Sequence, residues 1–306
     1  MYVSELMKIY LPEIEYQVVA EREVGSLGLV SSETSFPICS FVENRKYIGL
    51  VASQVKMLFV TSDILENIDL DKQGCIVVDN PKAVFFLLHN QLKDNEIYIR
   101  KSFPTEISKT AKISKLAYIE KTNVKIGNNV VIEPFVTIYK NTVIEDNCII
   151  RSGARIGGEG FQEIQYDEKI FSVEHLGGTI LHHDVEVQNN TCIDKAIYPW
   201  DNTEIGKYTK FDTLVHVEHA VKIGESCMIT GNVEIAGRSV IGDNVWIGIG
   251  STIRNGLKIG NNARINIGSV VVGNVKERGN VTGNFAIPHE KFLDNLKKSL
   301  CKNNGN

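Results

Sequence analysis

Residues 211–265 read FDTLVHVEHAVKIGESCMITGNVEIAGRSVIGDNVWIGIGSTIRNGLKIGNNARI. Phe211, Val217, Ile223, Ile229, Ile235, Ile241, Ile247, Ile253, Ile259 and Ile265 recur there at every sixth position. A period of six matches neither a 3.6-residue helix nor a two-residue strand alternation. It is the period of a hexapeptide-repeat parallel β-helix, in which each hexad supplies a short strand and a corner and three hexads close a triangular coil. The rhythm extends outward from this stretch. Val271 continues it, Leu181, Val187, Ile193 and Ile205 lead into it, and an earlier run holds Ile107, Ile113, Ile119, then, after one extra residue, Ile126, Ile132, Ile138, Ile144, Ile150 and Ile156. Four places after these residues stand small ones, among them Val130, Val136, Thr142, Cys148, Thr209, Val221, Cys227, Val233, Ser239, Val245 and Ser251, which are predicted to pack inside near a corner. Gly127, Gly224, Gly242, Gly248 and Gly260 directly follow the aliphatic position, where a positive φ is predicted. With strands stacked about 4.8 Å apart, about eight coils form a prism roughly 40 Å long.

The whole chain of 306 residues is long enough for two domains. Residues 1–100 lack the six-residue rhythm. Met57–Val60 and Cys75–Val78 are apolar runs predicted as buried strands, and Lys82–Leu92 as a helix behind Asn80-Pro81, so this part reads as a small α/β domain. The expected fold is therefore mainly β: a left-handed parallel β-helix over 101–275, preceded by an α/β domain and followed by a C-terminal cap and short helix over 276–306. Within the solenoid the rhythm breaks at 157–180, and a long break inside a compact fold usually serves function. A second irregularity, 196–203, keeps the count because Pro199 falls where an inward residue would.

A net charge of −4 argues against a dedicated nucleic-acid binder, which would carry a basic bias. No window is long and apolar enough for a membrane span, and MYVSELMKIYLPEIEY has no apolar core of signal length. The six cysteines show no CxxC and no regular spacing, so reduced thiols and a cytoplasmic location are expected.

Seven histidines offer acid–base chemistry. His89 falls on the predicted helix and is expected to be structural. His219 lies two places after Val217, on the outer surface of a coil. Asp212 lies one place after Phe211, and the spacing places the pair across one corner, with Asp212 accepting the imidazole Nδ1–H. A base of near-neutral pKa suits attack of an amine or hydroxyl on a thioester. His216 is a second possible base. A surface histidine on a solenoid face satisfies the spacing equally well. His182-His183-Asp184 are adjacent on a strand, point to opposite faces and are not expected to share a metal. No GxSxG, HExxH, P-loop or GxGxxG-plus-acid pattern is present. Phe41-Val42-Glu43-Asn44-Arg45-Lys46-Tyr47 combines aromatic faces that can stack a base with cations that can meet phosphates, but a core Phe beside a solvated helix start fits the same composition.

Taken together, these phrases resemble the UDP-3-O-acylglucosamine N-acyltransferase family of lipid A biosynthesis and related nucleotide-sugar N-acyltransferases, from about residue 20 to about 290. FVENRKY is similar to that family's uridine-binding phrase, which implies base contacts from Phe41, Asn44 and Tyr47 with Lys46 beside them. IGGEGF (156–161), with Phe161 and the following excursion to DVEVQNNTCIDKA (184–196), resembles the loop by which the family leaves and rejoins the helix. DTLVHVEHAVKIG (212–224) is similar to the catalytic phrase, implying His219 as base and Asp212 as its orienting acid, with His216 next to the substrate. The resemblance further implies a homotrimer, a nucleotide-linked amino sugar as acceptor, an acyl-CoA or acyl-carrier protein as co-substrate with no tightly bound cofactor, and an oxyanion donor such as the Gly237 amide. Three departures stand out. Gly256 occupies the place of the family's second histidine, the first solenoid run is about one coil shorter, and GNVTGNFAIP (279–288), with Gly283 and Asn284, resembles the Gly-Asn-Pro-Ala ending of acetyltransferases that use coenzyme A.

Overall fold

The computed structural model describes the backbone of residues 1–283 and 286–303, with side chains through residue 298. The hexads form a parallel β-helix of three sheets with nine, eight and eight strands. The ladder fixes which residues stack. Ile156 pairs with Ile193, Ile193 with Val217, Val217 with Ile235 and Ile235 with Ile253. All five are buried, as are all eleven small residues four places after the aliphatic positions. The apolar ones among them belong to one continuous hydrophobic cluster, with Thr142, Thr209, Ser239 and Ser251 buried beside it.

The glycines directly after the aliphatic position play a different role from the one predicted. The positive φ falls two residues later, at Asn129, Asn147, Asn232, Asn244 and Asn262 and, with other side chains, at Ala220 and Arg238. Asparagine tolerates this region better than most residues. The preceding glycines are instead needed for close stacking. A Cβ on Gly224 would lie 2.3 Å from Asp243 Oδ1 and 2.7 Å from the Gly242 carbonyl carbon in the next coil.

The N-terminal unit is a five-stranded sheet in the spatial order Gln17–Ala20, Gly74–Val77, Val55–Val60, Ile38–Val42, Ser26–Leu27. Only the first pairing is antiparallel. Val55–Val60, in the middle, is almost wholly buried, as expected of a parallel strand covered on both faces. Helix Pro81–Gln91 packs on the sheet. It starts one residue before the predicted Lys82, because Asn80 Oδ1 caps it by accepting from the Ala83 amide at 3.0 Å and Pro81 occupies the first turn.

Two extrusions from the solenoid hold this unit in place. Residues after Ile156 form an antiparallel hairpin, Glu163–Tyr166 with Lys169–Ser172. Its Ile164, Val173 and Leu176 share a core with Phe85, Phe86 and Leu88 of the helix. His89 is structural, with Nδ1 2.7 Å from Tyr98 Oη and Nε2 2.8 Å from the Glu174 carbonyl. The second extrusion follows Ile193. Pro199 takes no inward position. The whole extra hexad is pushed out between Ile193 and Ile205, which keep their places in neighbouring sheets. Trp200 then stacks on Tyr198 at 5.8 Å and donates its indole N–H to the Leu27 carbonyl at 2.8 Å. Arg100 reaches back to the carbonyls of Pro199 and Asp201, both at 2.6 Å.

Because two coils touch at Gly224, Gly224→Ala is expected to destabilise the protein by roughly 1–3 kcal/mol through overpacking. Asn244→Gly, at a positive φ of 56°, is expected to change stability by less than about 1 kcal/mol. Urea unfolding of the two variants checks the contrast.

Candidate active site

Ile156, Ile193 and Val217 are stacked, so the hairpin, the extruded hexad and the corner bearing His219 all leave the prism at the same edge in successive coils. The segments flanking the hairpin pack on His219, which is only 4% exposed, through Gly160 and His175. One coil further on, Gly237 lies directly against the imidazole. A Cβ there would be 2.6 Å from His219 Nε2 and 2.7 Å from Cε1. The Arg238 amide donates to the His219 carbonyl at 2.9 Å, and Arg238 Nη2 approaches His219 Nε2 at 3.4 Å while donating to Gln162 Oε1 of the hairpin at 3.0 Å.

Asp212 does not orient His219. It sits at the previous corner, one full side of the triangle away, because seven residues exceed one hexad. Its two oxygens accept from the amides of Thr213 at 2.7 Å and Gly231 at 3.0 Å, so it ties adjacent coils together. The acids near His219 come from elsewhere. Asp194 Oδ2 accepts from His216 Nε2 at 2.9 Å, and Glu234 Oε1 lies 2.9 Å from His216 Nδ1. These two hydrogen bonds, that from Asp194 foremost, raise the His216 imidazole to about 10. Burial, then the positive charge of Arg238 and the neighbouring imidazoles of His175 and His216, pushes His219 down to about 3. His219 is consequently neutral and His216 charged at neutral pH, although they are three residues apart. His175 packs edge-on to His219 with ring centres 5.5 Å apart, and burial lowers its pKa as well. Lys195, 2% exposed, pairs with Glu159.

The Gly237 amide is occupied: it donates to Glu218 Oε2 at 2.7 Å, so it is not an open oxyanion donor here. Burial raises the Glu218 carboxyl above its ordinary value.

A cavity of about 450 Å³ runs from this corner to the N-terminal unit. Its walls include Arg238, Gln162 and Asn255 from the solenoid side and Phe41, Tyr47 and Lys82 from the other. Phe41 is also packed against Phe85 and Phe86, at 5.0 and 5.8 Å, so it belongs to the core and to the cavity wall at once. Tyr47 is 41% exposed, with Lys46 Nζ 4.8 Å from its ring centre. Asn44 is a cap: its side chain accepts from the Lys46 amide at 3.1 Å. Lys46, Asn44 and Phe161 do not line the cavity, and Phe161 is 77% exposed. Gly283 packs against Gly268 and Ser269 at a different edge from His219, and Asn284 lies outside the described residues. Gly256, one coil beyond Arg238, faces open space. His182 contacts Glu145 and Glu204 at 3.1 and 3.5 Å, whereas His183 contacts Asp184 at 2.7 Å, so the adjacent pair serves separate partners. The sequence reading missed Asp194, His175, Lys82, Arg238 and Glu218. Asp194 stood within a quoted phrase, but nothing in its spacing linked it to His216.

Removing the Arg238 charge is expected to raise the His219 pKa without restoring its ordinary value, because burial persists. A histidine ring-proton NMR titration of Arg238→Gln checks this, and an unchanged pKa would count against it. For His216 the folded pKa lies above that of a free imidazole. Its bridge to Asp194 and Glu234 therefore stabilises the fold in full below about pH 6.5 and is lost as pH rises towards 10. The melting temperature of wild type is expected to fall more steeply over that interval than that of His216→Gln.

Residues 123–158 match the bacterial transferase hexapeptide (six repeats) family. The chain is similar to UDP-3-O-acylglucosamine N-acyltransferase of Helicobacter pylori, with 29% identity over 273 residues, 81% of this chain and 78% of that protein. It is also similar to UDP-3-O-acylglucosamine N-acyltransferase 1 of Francisella tularensis subsp. holarctica, with 39% identity over 114 residues. That match spans 37% of this chain and only 32% of the relative. Among solved structures, UDP-N-acetylglucosamine acyltransferase of Francisella novicida superposes with a TM-score of 0.48 at 21% identity, covering 62% of this chain and 71% of that one.

Proposed function

We propose that this chain, a hexapeptide-repeat homologue of the UDP-3-O-acylglucosamine N-acyltransferases, moves an acyl group from a thioester to the amine of a nucleotide-linked amino sugar. The observation that carries this reading is the cleft that joins the aromatic pair Phe41 and Tyr47 to Arg238 and, through it, to His219. A nucleobase stacks against the aromatic faces, its diphosphate meets Lys82 and Arg238, and the sugar amine reaches Nε2 of His219.

The depressed pKa of His219 fits this order of events. Without substrate the imidazole is fully available as a neutral base, but Arg238 opposes its protonation. A phosphate that pairs with Arg238 cancels part of that repulsion, so binding of the nucleotide raises the basicity of the residue that must take the amine proton. The amine nitrogen then forms its bond to the thioester carbonyl carbon, the proton passes to Nε2, and collapse of the tetrahedral intermediate breaks the C–S bond and releases the thiol, which takes up the proton. Amide donation to the oxyanion from Gly237 requires Glu218 to turn away first.

The acyl donor is an acyl-CoA or an acyl-carrier protein. The open space at Gly256 and the absence of a side chain there favour a donor that needs no second histidine, a short acyl group on coenzyme A. We further propose a homotrimer and a cytoplasmic location. The five described cysteines are all free thiols, which supports a reducing compartment. Among the described residues no helix is long and apolar enough to cross a membrane.

Mass spectrometry of purified protein with UDP- and dTDP-linked amino sugars, short acyl-CoA and long acyl-carrier-protein donors tests the reading. An N-acylated nucleotide sugar is the expected product, and His219→Ala is expected to reduce its formation by about 10²–10⁴-fold with an unchanged melting temperature. Full activity of His219→Ala would refute the assignment. Product from the carrier protein alone would place the chain with the long-chain lipid A enzymes.

A further inference from the structure

His219 Nε2 faces the Arg238 guanidinium, which can only donate, so Nε2 carries the lone pair and the proton of the neutral ring sits on Nδ1. That Nδ1–H is buried and has no hydrogen-bond partner within the protein. His175 shows the complementary state. Its Nδ1 lies 3.0 Å from the Val173 carbonyl and 3.4 Å from Glu159 Oε2, both acceptors, so Nδ1 is protonated and Nε2 is an acceptor. His175 Nε2 is likewise buried without a partner, in a residue 2% exposed. Both unpartnered nitrogens converge on one place. The position a Cβ would take on Gly160 lies 3.0 Å from His175 Nε2, 3.1 Å from Asp194 Oδ2 and 3.4 Å from His219 Nδ1. One donor and two acceptors thus ring the open side of a glycine.

We infer that a single buried water is held beside Gly160 by His219 Nδ1, His175 Nε2 and Asp194 Oδ2, and that through it Asp194 is the residue that positions His219. The hydrogen-bond inventory closes: the water accepts from His219 and donates to His175 and to Asp194, the three bonds typical of a buried water. The arrangement fixes the tautomer that leaves Nε2 for the amine, and places a carboxylate where it can stabilise the imidazolium formed when Nε2 takes a proton. This is the task that sequence spacing assigned to Asp212, carried out from the neighbouring coil. It also accounts for glycine at 160, whose φ is not positive, so backbone conformation alone does not require it. The positioning role rests on the proposed acyl transfer; the bound water does not.

Two measurements test it. A crystal structure of the full chain at high resolution is expected to show solvent density within hydrogen-bonding distance of all three atoms in wild type and none in Gly160→Ala, whose methyl group fills the space. A direct bond from His219 Nδ1 to a protein acceptor would overturn the inference. Nitrogen NMR of His219 is expected to report an Nδ1–H tautomer in wild type and a mixed population in Asp194→Asn. In the acyl-transfer assay Asp194→Asn is expected to lower kcat by roughly 10²-fold with little change in KM for the nucleotide sugar. Asp212→Asn is expected to leave kcat within a few-fold of wild type, which separates the two candidate positioning acids. If His219→Ala is inactive while Asp194→Asn is fully active, the inference fails and the proposed function stands. If His219→Ala is active, the proposed function fails whatever Asp194 does.

Discussion

The backbone ladder between successive coils constrains everything else in this protein. Each short strand shares its hydrogen bonds with strands directly above and below, so no residue can be added within a face without breaking two ladders. Insertions can leave only at corners. Two do so, after Ile156 and after Ile193, and the stacking of those residues with Val217 places both beneath the His219 corner. The extrusions then serve two purposes at once. The hairpin and its flanking segments bury His219 and share a core with the helix Pro81–Gln91, while the extruded hexad locks the N-terminal sheet through Trp200 and receives Arg100. The cleft follows from the docking: its two walls belong to units that the insertions bring together.

The electrostatics of the corner come from the same layering. His216 lies on a face, where its outward side chain meets Glu234 of the next coil and Asp194 of the previous one, and it becomes a fixed cation. His219 lies past the strand, under the segments flanking the hairpin and beside Arg238, and stays neutral. Burial alone would lower both. Partners one coil away decide the difference, and they place a poor proton acceptor and a permanent positive charge side by side in one short segment.

These interactions explain what could be read from the chain and what could not. The period of six identified the solenoid, the buried column and the outward position of His219, because each depends on spacing within a hexad. The partner of His219 depends on spacing between coils. That separation is 18 residues in a regular stretch, as from Val217 to Ile235, but 37 between Ile156 and Ile193 and 24 between Ile193 and Val217, where the extrusions intervene. Counting along the chain therefore selected Asp212, which is near in sequence and a full side away in space, and passed over Asp194. The glycines were misread for a related reason. Their requirement is set by the coil above, as at Gly224 against Gly242, while the left-handed corner residue two places later is satisfied by asparagine.

Glycine at 160, 237 and 256 marks the path along this edge. At 237 any side chain would collide with the His219 ring, and at 160 it would intrude among three polar atoms, whereas at 256 it would meet nothing within 4 Å. Position 237 is constrained by the His219 imidazole itself, and position 160 by His175 and Asp194 ahead of His219. The third is not, so its openness is a property of the groove rather than of the base. The line that runs from His219 past Gly237 along the prism continues to Asn255, a wall of the cleft, and Gly256 stands beside it in the place that Arg238 takes one coil earlier, its amide bonded to the Gly237 carbonyl at 3.0 Å. The edge that carries His219 is thus crowded on the hairpin side, and beyond Arg238 only the place beside Asn255 is left bare. For the proposed acyl transfer, that asymmetry assigns the nucleotide to the cleft beneath the N-terminal sheet and leaves the bare place at Gly256 for the acyl thioester.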